Sequence, residues 1–535
     1  MDTTECAANF APLTPISFLI RAASFFAQRT AVIYGDKQYS YREFSGRVDN
    51  LARALKAASI KTGERVAILA PNIPPMLEAH FAVPMIGAVL IPFNYQLDAK
   101  TLAELLDKSD AKLLLCDREF LDLACAALNV AGKDIPIVVI HDPAVGLPVD
   151  RDHTDYEAFL EICSGTNTRL ELGSEHQPLS IQYTSGTTGK PKGVVYIHRG
   201  AYLAALSNAL SFNLKDSCAY LWTWPMFHSN GLSFIWAVTA VGGVHICLRP
   251  NDPATIFSAI HQHHADHFSA PPNVLSRLVN WTSASKITFS HPVFCSTGGA
   301  PPPPSVIHRM QELGIEVVHQ YGSTECYGPS TLNPLPTNWH DMTSEDKTAH
   351  STLQGVPTVA VSDLIVADPT TLEPVARDGV QLGEILVRGN TVMASYHGDS
   401  DASDTVLSGG WYHSGDIAVW HEDGSIDVKD RSEDIIKCDG TIVSSIEIED
   451  VLCSHPDVLE AAVVAKPAGA RGHIPCAFVN LVEGRVLSDQ MLFDYCRSRL
   501  EPAKVPGHFL LGEFPKTATG KTKKARLREI AETVS

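Results

Sequence analysis

The sequence lacks the features that mark several large classes of protein. Its 12 cysteines are scattered from Cys6 to Cys496 without a C-x-x-C pair, which argues against a disulfide framework or a zinc site. Basic residues are not in excess: 60 acidic against 42 basic residues give a net charge of -18. This charge would repel a polyanion, so we expect no nucleic-acid partner. From the scattered pattern of the cysteines, we expect them to be reduced.

No apolar run has the length and composition of a membrane-spanning helix, which needs about 20 residues. The longest candidates, 79–93 and 232–248, each contain a histidine, and we predict both as buried core. A basic signal-peptide region is missing, because Asp2 and Glu5 open the chain. The last three residues are Thr-Val-Ser, not the S-K-L peroxisomal signal. We expect a cytoplasmic location, with the peroxisome as the open alternative.

What is present is an alternation of short apolar runs with helix-like stretches, which is typical of an α/β protein. The chain of 535 residues is longer than one core usually supports. We predict a large N-terminal domain of layered sheets and helices at 1–430 and a small mobile C-terminal α+β domain at 431–535. Residues 332–352 are polar and predict a surface loop. Buried strands are predicted at 65–69, 88–92, 112–116, 136–140, 179–183, 193–197 and 244–248.

A loop at 183–193 gives the first indication of chemistry, with the sequence Tyr-Thr-Ser-Gly-Thr-Thr-Gly-Lys-Pro-Lys-Gly. Its backbone and hydroxyl groups can surround phosphate oxygens, and Lys190 and Lys192 supply positive charge. It is not a Walker P-loop, because only two residues separate Gly186 from Gly189 where that motif has four. A structural loop of the same composition is the alternative.

Three later motifs carry further polar groups that suit a nucleotide. Residues 320–325 read Gln-Tyr-Gly-Ser-Thr-Glu after an apolar run, so a hydroxyl and a carboxylate follow a predicted strand, where they could hold a phosphate oxygen and magnesium. Asp416 ends the motif Trp-Tyr-His-Ser-Gly-Asp and suits a vicinal diol, since a carboxylate can accept two hydrogen bonds. Lys521 ends a Thr- and Gly-rich loop. Solvated turns and a mobile tail are the alternative interpretations.

These motifs, in this order, resemble those of the adenylate-forming superfamily, which includes acyl-CoA synthetases, peptide-synthetase adenylation domains and beetle luciferases. The resemblance extends from Tyr39 to Lys521. It implies that a carboxylic acid, aliphatic or fatty, reacts with ATP and Mg²⁺ to give acyl-AMP and is then transferred to CoA. Residues 12–19 and 230–248 are most similar to fungal and plant medium-chain acyl-activating enzymes, some of which serve secondary metabolism.

The resemblance also implies a role for each matching residue. Thr324 would contact the α-phosphate, Glu325 would bind Mg²⁺, and Lys521 would be the catalytic lysine that bridges the carboxylate and the α-phosphate. His228 would border the acyl and pantetheine channel as a gate. Tyr321 would stack on adenine. The residues implied in nucleotide binding, with Asp416 and Arg431 on the ribose, are Thr184, Ser185, Gly186, Thr187, Thr188, Gly189, Lys190, Lys192, Gly298, Gly299, Ala300, Gln320, Tyr321, Gly322, Ser323, Thr324, Asp416, Arg431 and Lys521.

The sequence departs from the family pattern at two positions. After Lys437 the family usually has S-G-G-E-N, whereas this chain has Cys-Asp-Gly-Thr-Ile. Asp439 therefore adds a negative charge where an anionic cofactor arrives, so any defect is expected in thioester formation. Glu433 stands at a hinge position where the family mostly has Asp or Lys, and we expect little effect there because a hinge residue need only absorb backbone rotation.

Three other functions share parts of this pattern. The nearest is an acyl-AMP ligase that loads a carrier protein in trans, since only 14 residues follow Lys521 and cannot form a carrier domain. A luciferase-like oxygenase shares the first step. A non-catalytic nucleotide- or acyl-binding protein is less consistent with Lys521, Glu325 and Asp416 occurring together.

Overall fold

The computed structural model describes residues 8–162, 170, 172–184, 191–281, 283–284, 287–300, 302–439, 441–515 and 522–533. The strands are β1 (Thr30–Tyr34), β2 (Lys37–Ser40), β3 (Arg65–Leu69), β4 (Val89–Pro92), β5 (Ala111–Asp117), β6 (Ile137–Ile140), β7 (Thr154–Asp155), β8 (Pro178–Tyr183), β9 (Gly193–Ile197), β10 (Ala219–Trp222), β11 (Val244–Cys247), β12 (His267–Ser269), β13 (Val293–Thr297), β14 (Ile315–Tyr321), β15 (Thr331–Leu332), β16 (Val356–Pro357), β17 (Val361–Ala367), β18 (Gly383–Gly389), β19 (Ser395–Tyr396), β20 (Tyr412–Trp420), β21 (Ile426–Arg431), β22 (Ile436–Cys438), β23 (Thr441–Val443), β24 (Val458–Pro467), β25 (His473–Leu481) and β26 (His508–Leu511).

The right-handed α-helices alternate with these strands along most of the chain. They are α1 (Ile16–Phe25), α2 (Tyr41–Ala57), α3 (Pro74–Met85), α4 (Ala99–Ser109), α5 (Leu121–Ala131), α6 (Tyr156–Glu161), α7 (His198–Ser211), α8 (Phe234–Val241), α9 (Pro253–His263), α10 (Pro272–Asn280), α11 (Pro304–Glu312), α12 (Ser344–Thr352), α13 (Ser400–Val406), α14 (Ser445–Cys453), α15 (Asp489–Arg497) and α16 (Lys524–Thr533). A short left-handed turn at 229–233 leads into α8.

An eight-stranded sheet contains most of the predicted apolar runs. Its order is β19-β9-β8-β4-β3-β5-β6-β7, and the strands from β8 to β7 pair in parallel. Parallel strands are covered by helices on both faces, which explains why these segments read as continuous apolar runs rather than alternating ones. Every residue of α3 is buried, so the apolar stretch that begins at residue 79 is core, as predicted. Among the described residues, no helix is long and apolar enough to cross a membrane.

A nine-stranded sheet brings two of the predicted site segments to one edge. Its order is β16-β15-β14-β13-β12-β10-β11-β1-β2, and β13 pairs in parallel with β14. The carboxyl ends of parallel strands lie at the same edge of a sheet, so the glycines after β13 are placed beside the 320–325 segment that ends β14. A four-stranded antiparallel sheet, β17-β18-β20-β21, carries Asp416 on β20 and Arg431 on β21.

The C-terminal part of the chain forms smaller sheets with their own cores. The strands β22 and β23 form a hairpin, and β24-β25-β26 form a three-stranded sheet. Helix α14 and strand β25 contribute to one buried cluster, while α16 packs its buried Leu527 and Ala531 on another. The fold is therefore α/β with a large N-terminal and a small C-terminal domain.

The prediction of a surface loop over residues 332–352 is wrong. The segment contains α12, and Trp339 and Ser351 are buried. The Thr343 hydroxyl accepts a hydrogen bond from the Asp346 N–H, so a capping residue followed by acidic residues starts this helix. That polar capping signal is what an analysis based on apolar periodicity overlooks.

Candidate active site

Asp416 and Arg431 face each other across the pairing of β20 with β21. Their Cα atoms are register partners, and Arg431 Nε lies 2.7 Å from Asp416 Oδ1. The Tyr321 hydroxyl, at the end of β14, donates to Asp416 Oδ2 over 2.6 Å. Burial and the Asp416 carboxylate raise the pKa of Tyr321, which keeps its hydroxyl protonated as a donor. We call Tyr321, Asp416 and Arg431 the carboxylate clamp.

The turn before the clamp is fixed by a second carboxylate that the sequence analysis missed. Glu384 Oε1 on β18 accepts the Gly415 N–H at 2.8 Å, and Gly415 has a φ of +70°. The Asp416 N–H in turn donates to the Ser414 hydroxyl at 3.0 Å. These bonds hold the Asp416 side chain, which is only 8% exposed, at one position beside Arg431.

Thr324 and Glu325 follow β14 in a short 3₁₀ turn, Thr324–Cys326. The Tyr196 hydroxyl donates to the Thr324 carbonyl at 2.6 Å, and the Ser229 hydroxyl donates to Thr324 Oγ1 at 3.4 Å. Glu325 Oε1 accepts a 2.8 Å hydrogen bond from Tyr396. A half-buried carboxylate beside a hydroxyl is a donor set that suits a divalent cation and a phosphate oxygen.

Lys192, at one end of the 183–193 loop, is connected to Glu325 through Tyr396. Thr184 N–H donates to the Lys192 carbonyl at 2.9 Å, which joins the two ends across the β8–β9 hairpin. Lys192 Nζ lies 4.7 Å from the centre of the Tyr396 ring, whose hydroxyl contacts Glu325. A positive charge therefore stands next to the candidate cation site. The residues predicted between these ends, Ser185, Gly186, Thr187, Thr188, Gly189 and Lys190, lie outside the described residues.

The glycine segment after β13 packs closely on β14. A Cβ added at Gly298 would lie 2.6 Å from the Gln320 carbonyl oxygen, and one at Gly322 would lie 2.1 Å from the Gly328 carbonyl. Gly299 has a φ of +82° and leads into Ala300, which is exposed. The side-chain Oε1 of Gln320 is buried without a hydrogen-bond partner among the described residues. Small residues and an unpaired acceptor at this edge fit a flat, hydrogen-bonding base.

His228 lies immediately before the left-handed turn. Its ring is 5.6 Å from that of Trp224, and burial lowers its pKa to about 4. The ring is therefore neutral at physiological pH. Ser229, next in the chain, links this segment to Thr324.

The sequence of the chain matches two family profiles. The profile described as "AMP-binding enzyme" matches residues 19–397, and that described as "AMP-binding enzyme C-terminal domain" matches residues 447–521. The chain belongs to the AMP-binding enzyme family.

Plant relatives of this AMP-binding enzyme match it over nearly its whole length. A peroxisomal acetate/butyrate–CoA ligase of Arabidopsis thaliana is 41% identical, covering 99% of this chain and 96% of the relative. An acetate–CoA ligase of Humulus lupulus is 40% identical, with 99% and 97% coverage. A 2-methylpropanoate–CoA ligase of Humulus lupulus is 38% identical, with 98% and 96% coverage.

Solved structures show the same fold. An anthranilate CoA ligase in complex with anthranoyl-AMP gives a TM-score of 0.85 at 22% identity, with 99% of both chains covered. An ATP-bound MatB from Rhodopseudomonas palustris gives 0.85 at 22% identity, with 98% and 99% coverage. At this identity the likeness concerns the fold alone. It confirms the expected α/β architecture of a large and a small domain.

The structure brings together the predicted residues that it describes on the large domain. The described nucleotide-site residues lie at the ends of β13 and β14 and on the β20–β21 pair, except Thr184 and Lys192, which lie at the facing ends of β8 and β9. Lys521 lies outside the described residues. The sequence analysis missed Tyr196, Glu384 and Tyr396, because no local motif marks a tyrosine or glutamate whose partner is distant in the chain.

Asp439, the predicted obstacle to thioester formation, has a local partner. Its φ of +51° is left-handed, as at a glycine, and Arg471 Nη2 lies 2.8 Å from Asp439 Oδ2. The Asp439 N–H also donates to the Arg471 carbonyl at 3.0 Å. The contact with Arg471 lowers the pKa of Asp439, so the carboxylate is charged and its charge is neutralised locally.

Proposed function

We propose that this AMP-binding enzyme is an acid–thiol ligase that converts a small monocarboxylic acid to its CoA thioester through an acyl-adenylate. The observation that carries the proposal is the convergence of the carboxylate clamp with Thr324 and Glu325 at one edge of the large domain. The relatives named above are CoA ligases, which does not favour a carrier protein as the acceptor.

In the first step, a carboxylate oxygen of the acid attacks the α-phosphorus of ATP. The new bond is the P–O bond of acyl-AMP, and the bond to the β-phosphate oxygen breaks to release pyrophosphate. Asp416 would accept hydrogen bonds from the ribose diol, with Arg431 and Tyr321 orienting it. Thr324 would hold the α-phosphate. The glycines 298 and 299 would admit the adenine ring.

Two anions must approach each other in this step, which is the main obstacle. At about 4 Å and an effective dielectric constant near 20, each like-charge pair costs about 4 kcal/mol. We propose that the Lys521 ammonium group offsets this repulsion by contacting both the carboxylate and the α-phosphate. Glu325 would hold Mg²⁺, whose charge would neutralise phosphate oxygens. Lys192 adds a second cation beside it.

In the second step, the thiol sulfur of CoA attacks the acyl carbon. The carbon–oxygen bond to AMP breaks, AMP leaves, and the thiol proton is lost to solvent. We assign residues 1–430 and 431–535 to the two domains, with Glu433 at the hinge that removes Lys521 from the site. Supporting this boundary to within about one residue, β21 ends at Arg431 in the four-stranded sheet of the large domain, and β22 begins a separate sheet at Ile436.

We propose a short-chain aliphatic acid as the substrate. Acetate, butyrate and 2-methylpropanoate name the acids of similar ligases. We assign residues 232–236 to the wall of the acyl pocket, because Leu232, Phe234, Ile235 and Trp236 are all buried and without charge. A cytoplasmic location remains our prediction, although the names of several similar plant enzymes carry the word peroxisomal. A fluorescent fusion imaged with organelle markers would test the location.

The test is acid-dependent pyrophosphate release by the purified protein and its Lys521→Ala variant, over a panel of C2 to C8, branched and aromatic acids. We expect release to fall at least about 100-fold in the variant, because a charge that acts in the transition state is lost. Lys523→Ala is the matched control, since Lys523 is exposed and two residues away. Near-normal release by Lys521→Ala would refute the assignment. Acyl-CoA formation, followed in parallel, tests the acceptor.

A further inference from the structure

The segment that follows His228 has an unusual backbone. Five consecutive residues, 229–233, have left-handed φ values: +43°, +44°, +56°, +53° and +65°. Only one of them, Gly231, is a glycine, and four of the eleven non-glycine residues with positive φ in the described chain lie here. L-residues disfavour this conformation, so the surrounding structure must hold it in place.

Asn230 is the centre of the hydrogen bonds that hold the turn. Its side-chain Oδ1 accepts from the Ser180 hydroxyl at 2.8 Å, and its backbone N–H donates to Gln182 Oε1 at 3.2 Å, both on β8. Its Nδ2 lies 3.0 Å from His80 Nε2 on α3. All four side chains are at most 4% exposed, so every bond lies in the interior.

The donors and acceptors of this network fit a single protonation state. His80 Nδ1 lies 2.7 Å from the Met76 carbonyl, which can only accept, so Nδ1 carries the proton. Nε2 is then free to accept from the Asn230 amide in a neutral ring. Burial lowers the pKa of His80 to about 4, which keeps the ring neutral. A fully satisfied buried network of this kind specifies one arrangement.

The turn places the side chains of Ser229 and Ser233 against the loop that carries Thr324. The Ser229 hydroxyl donates to Thr324 Oγ1, and Ser233 Oγ donates to the Tyr327 carbonyl at 3.2 Å, on the same loop as Thr324. With Ser229 as the donor, Thr324 keeps its own hydroxyl proton for a ligand. Gly231 is required here because a Cβ would lie 2.7 Å from the Trp222 ring.

We propose that Asn230 is a positioning residue for adenylate formation: its amide locks the left-handed turn that sets the Ser229 hydroxyl against Thr324. The inference rests on the proposed role of Thr324 at the α-phosphate. Asn230 itself does not touch the reacting atoms. It acts through Ser229, so its effect is on the rate of the chemical step more than on nucleotide affinity.

The test uses Asn230→Gly, which tolerates the left-handed backbone but removes the amide. We expect kcat for pyrophosphate release to fall about 10- to 100-fold, because small displacements of positioning groups are costly, while KM for ATP changes less than about threefold. Ser207→Ala is the matched control: its hydroxyl is equally buried and has no hydrogen-bond partner among the described residues, so activity should stay within about twofold.

A double-variant cycle separates positioning from a general loss of structure. If Asn230 acts through Ser229, then Asn230→Gly in a Ser229→Ala background must cost less than in the wild-type chain. Losses that simply multiply would overturn the proposal, as would native kcat in a folded Asn230→Gly. Should that variant fail to fold, Ser180→Ala decides: reduced kcat supports the proposal and native kcat overturns it. A wild-type chain without acid-dependent release would instead refute the proposed function.

Discussion

Two aspartate–arginine pairs, one in each domain, have nearly the same geometry and different surroundings. Asp416 and Arg431 of the large domain lie 2.7 Å apart, with side chains 8% and 32% exposed. Asp439 and Arg471 of the small domain lie 2.8 Å apart, with side chains 48% and 52% exposed. Breaking a buried pair costs several kcal/mol, whereas an exposed pair contributes about 0–1 kcal/mol. Surroundings, not residue type, decide how much each pair matters.

The largest expected effect is at the buried pair. Asp416→Ala removes the proposed ribose acceptor and leaves Arg431 and the Tyr321 hydroxyl without their partner. We expect kcat/KM for ATP to fall at least about 100-fold, because the ribose diol would lose hydrogen bonds to a charged acceptor, each worth about 1.5–3 kcal/mol. Steady-state pyrophosphate release measures it. Asp439→Ala is the comparison, with a change of less than about fivefold. Equal losses of kcat/KM in Asp416→Ala and Asp439→Ala would show that the two pairs do not differ in importance.

The two domains should also differ in acid stability. Burial lowers the pKa of His80, His198 and His319 to about 4 and that of His245 to about 3, and all four lie in the large domain. An unfolded histidine titrates near 6.5, so the unfolded state binds protons first and stability is lost as pH falls from about 6.5 towards 4. Each of these histidines lowers the free energy of unfolding by about 2 kcal/mol at pH 5.

Calorimetry at pH 7 and pH 5 tests this difference. The transition temperature of the large domain is expected to be much lower at pH 5 than at pH 7. In His198→Gln the free energy of unfolding should fall by about 2 kcal/mol less between these pH values, since glutamine does not titrate. A large-domain transition that is equally stable at both pH values would contradict the prediction.

A smaller effect is expected at Tyr396, whose hydroxyl donates to Glu325. Tyr396→Phe keeps the ring next to Lys192 and removes one hydrogen bond to a charged group, which is worth about 1.5–3 kcal/mol. We expect kcat to fall about tenfold and the Mg²⁺ dependence to change. Tyr495→Phe, in the small domain, removes a hydrogen bond to Ser454 and serves as the control. If Tyr396→Phe and Tyr495→Phe change kcat equally, Tyr396 does not contribute to the site.

The smallest effect is expected at the exposed pair. Arg471→Ala leaves the Asp439 charge uncompensated, so KM for CoA should rise about two- to fivefold while pyrophosphate release is unchanged. The double variant Asp439→Gly/Arg471→Ala should restore KM, because glycine accepts the φ of +51° and removes the charge. If KM for CoA is as high in the double variant as in Arg471→Ala, the charge of Asp439 is not the cause of the increase.

Much of the fold could be predicted from the sequence because buried parallel strands are continuous apolar runs. The predicted strands 65–69 and 193–197 coincide with β3 and β9. Asp416 and Thr324 could be selected because each follows or lies on a strand within a motif. Tyr396 could not, since its partner Glu325 is 71 residues away and no local pattern connects them.

The left-handed turn at 229–233 was also beyond prediction. A single asparagine and glycine do not indicate five left-handed residues, and what holds them is a set of contacts to β8, α3 and the Thr324 loop. Conformations that depend on distant hydrogen bonds leave no periodic signal in the sequence.

We expect the carboxylate clamp to hold the nucleotide. A crystal structure of the protein with AMP and a short-chain acid should show the ribose diol within hydrogen-bond distance of the Asp416 carboxylate and the phosphate at the Thr324 hydroxyl. A nucleotide bound elsewhere, with Asp416 still paired only to Arg431 and Tyr321, would contradict it.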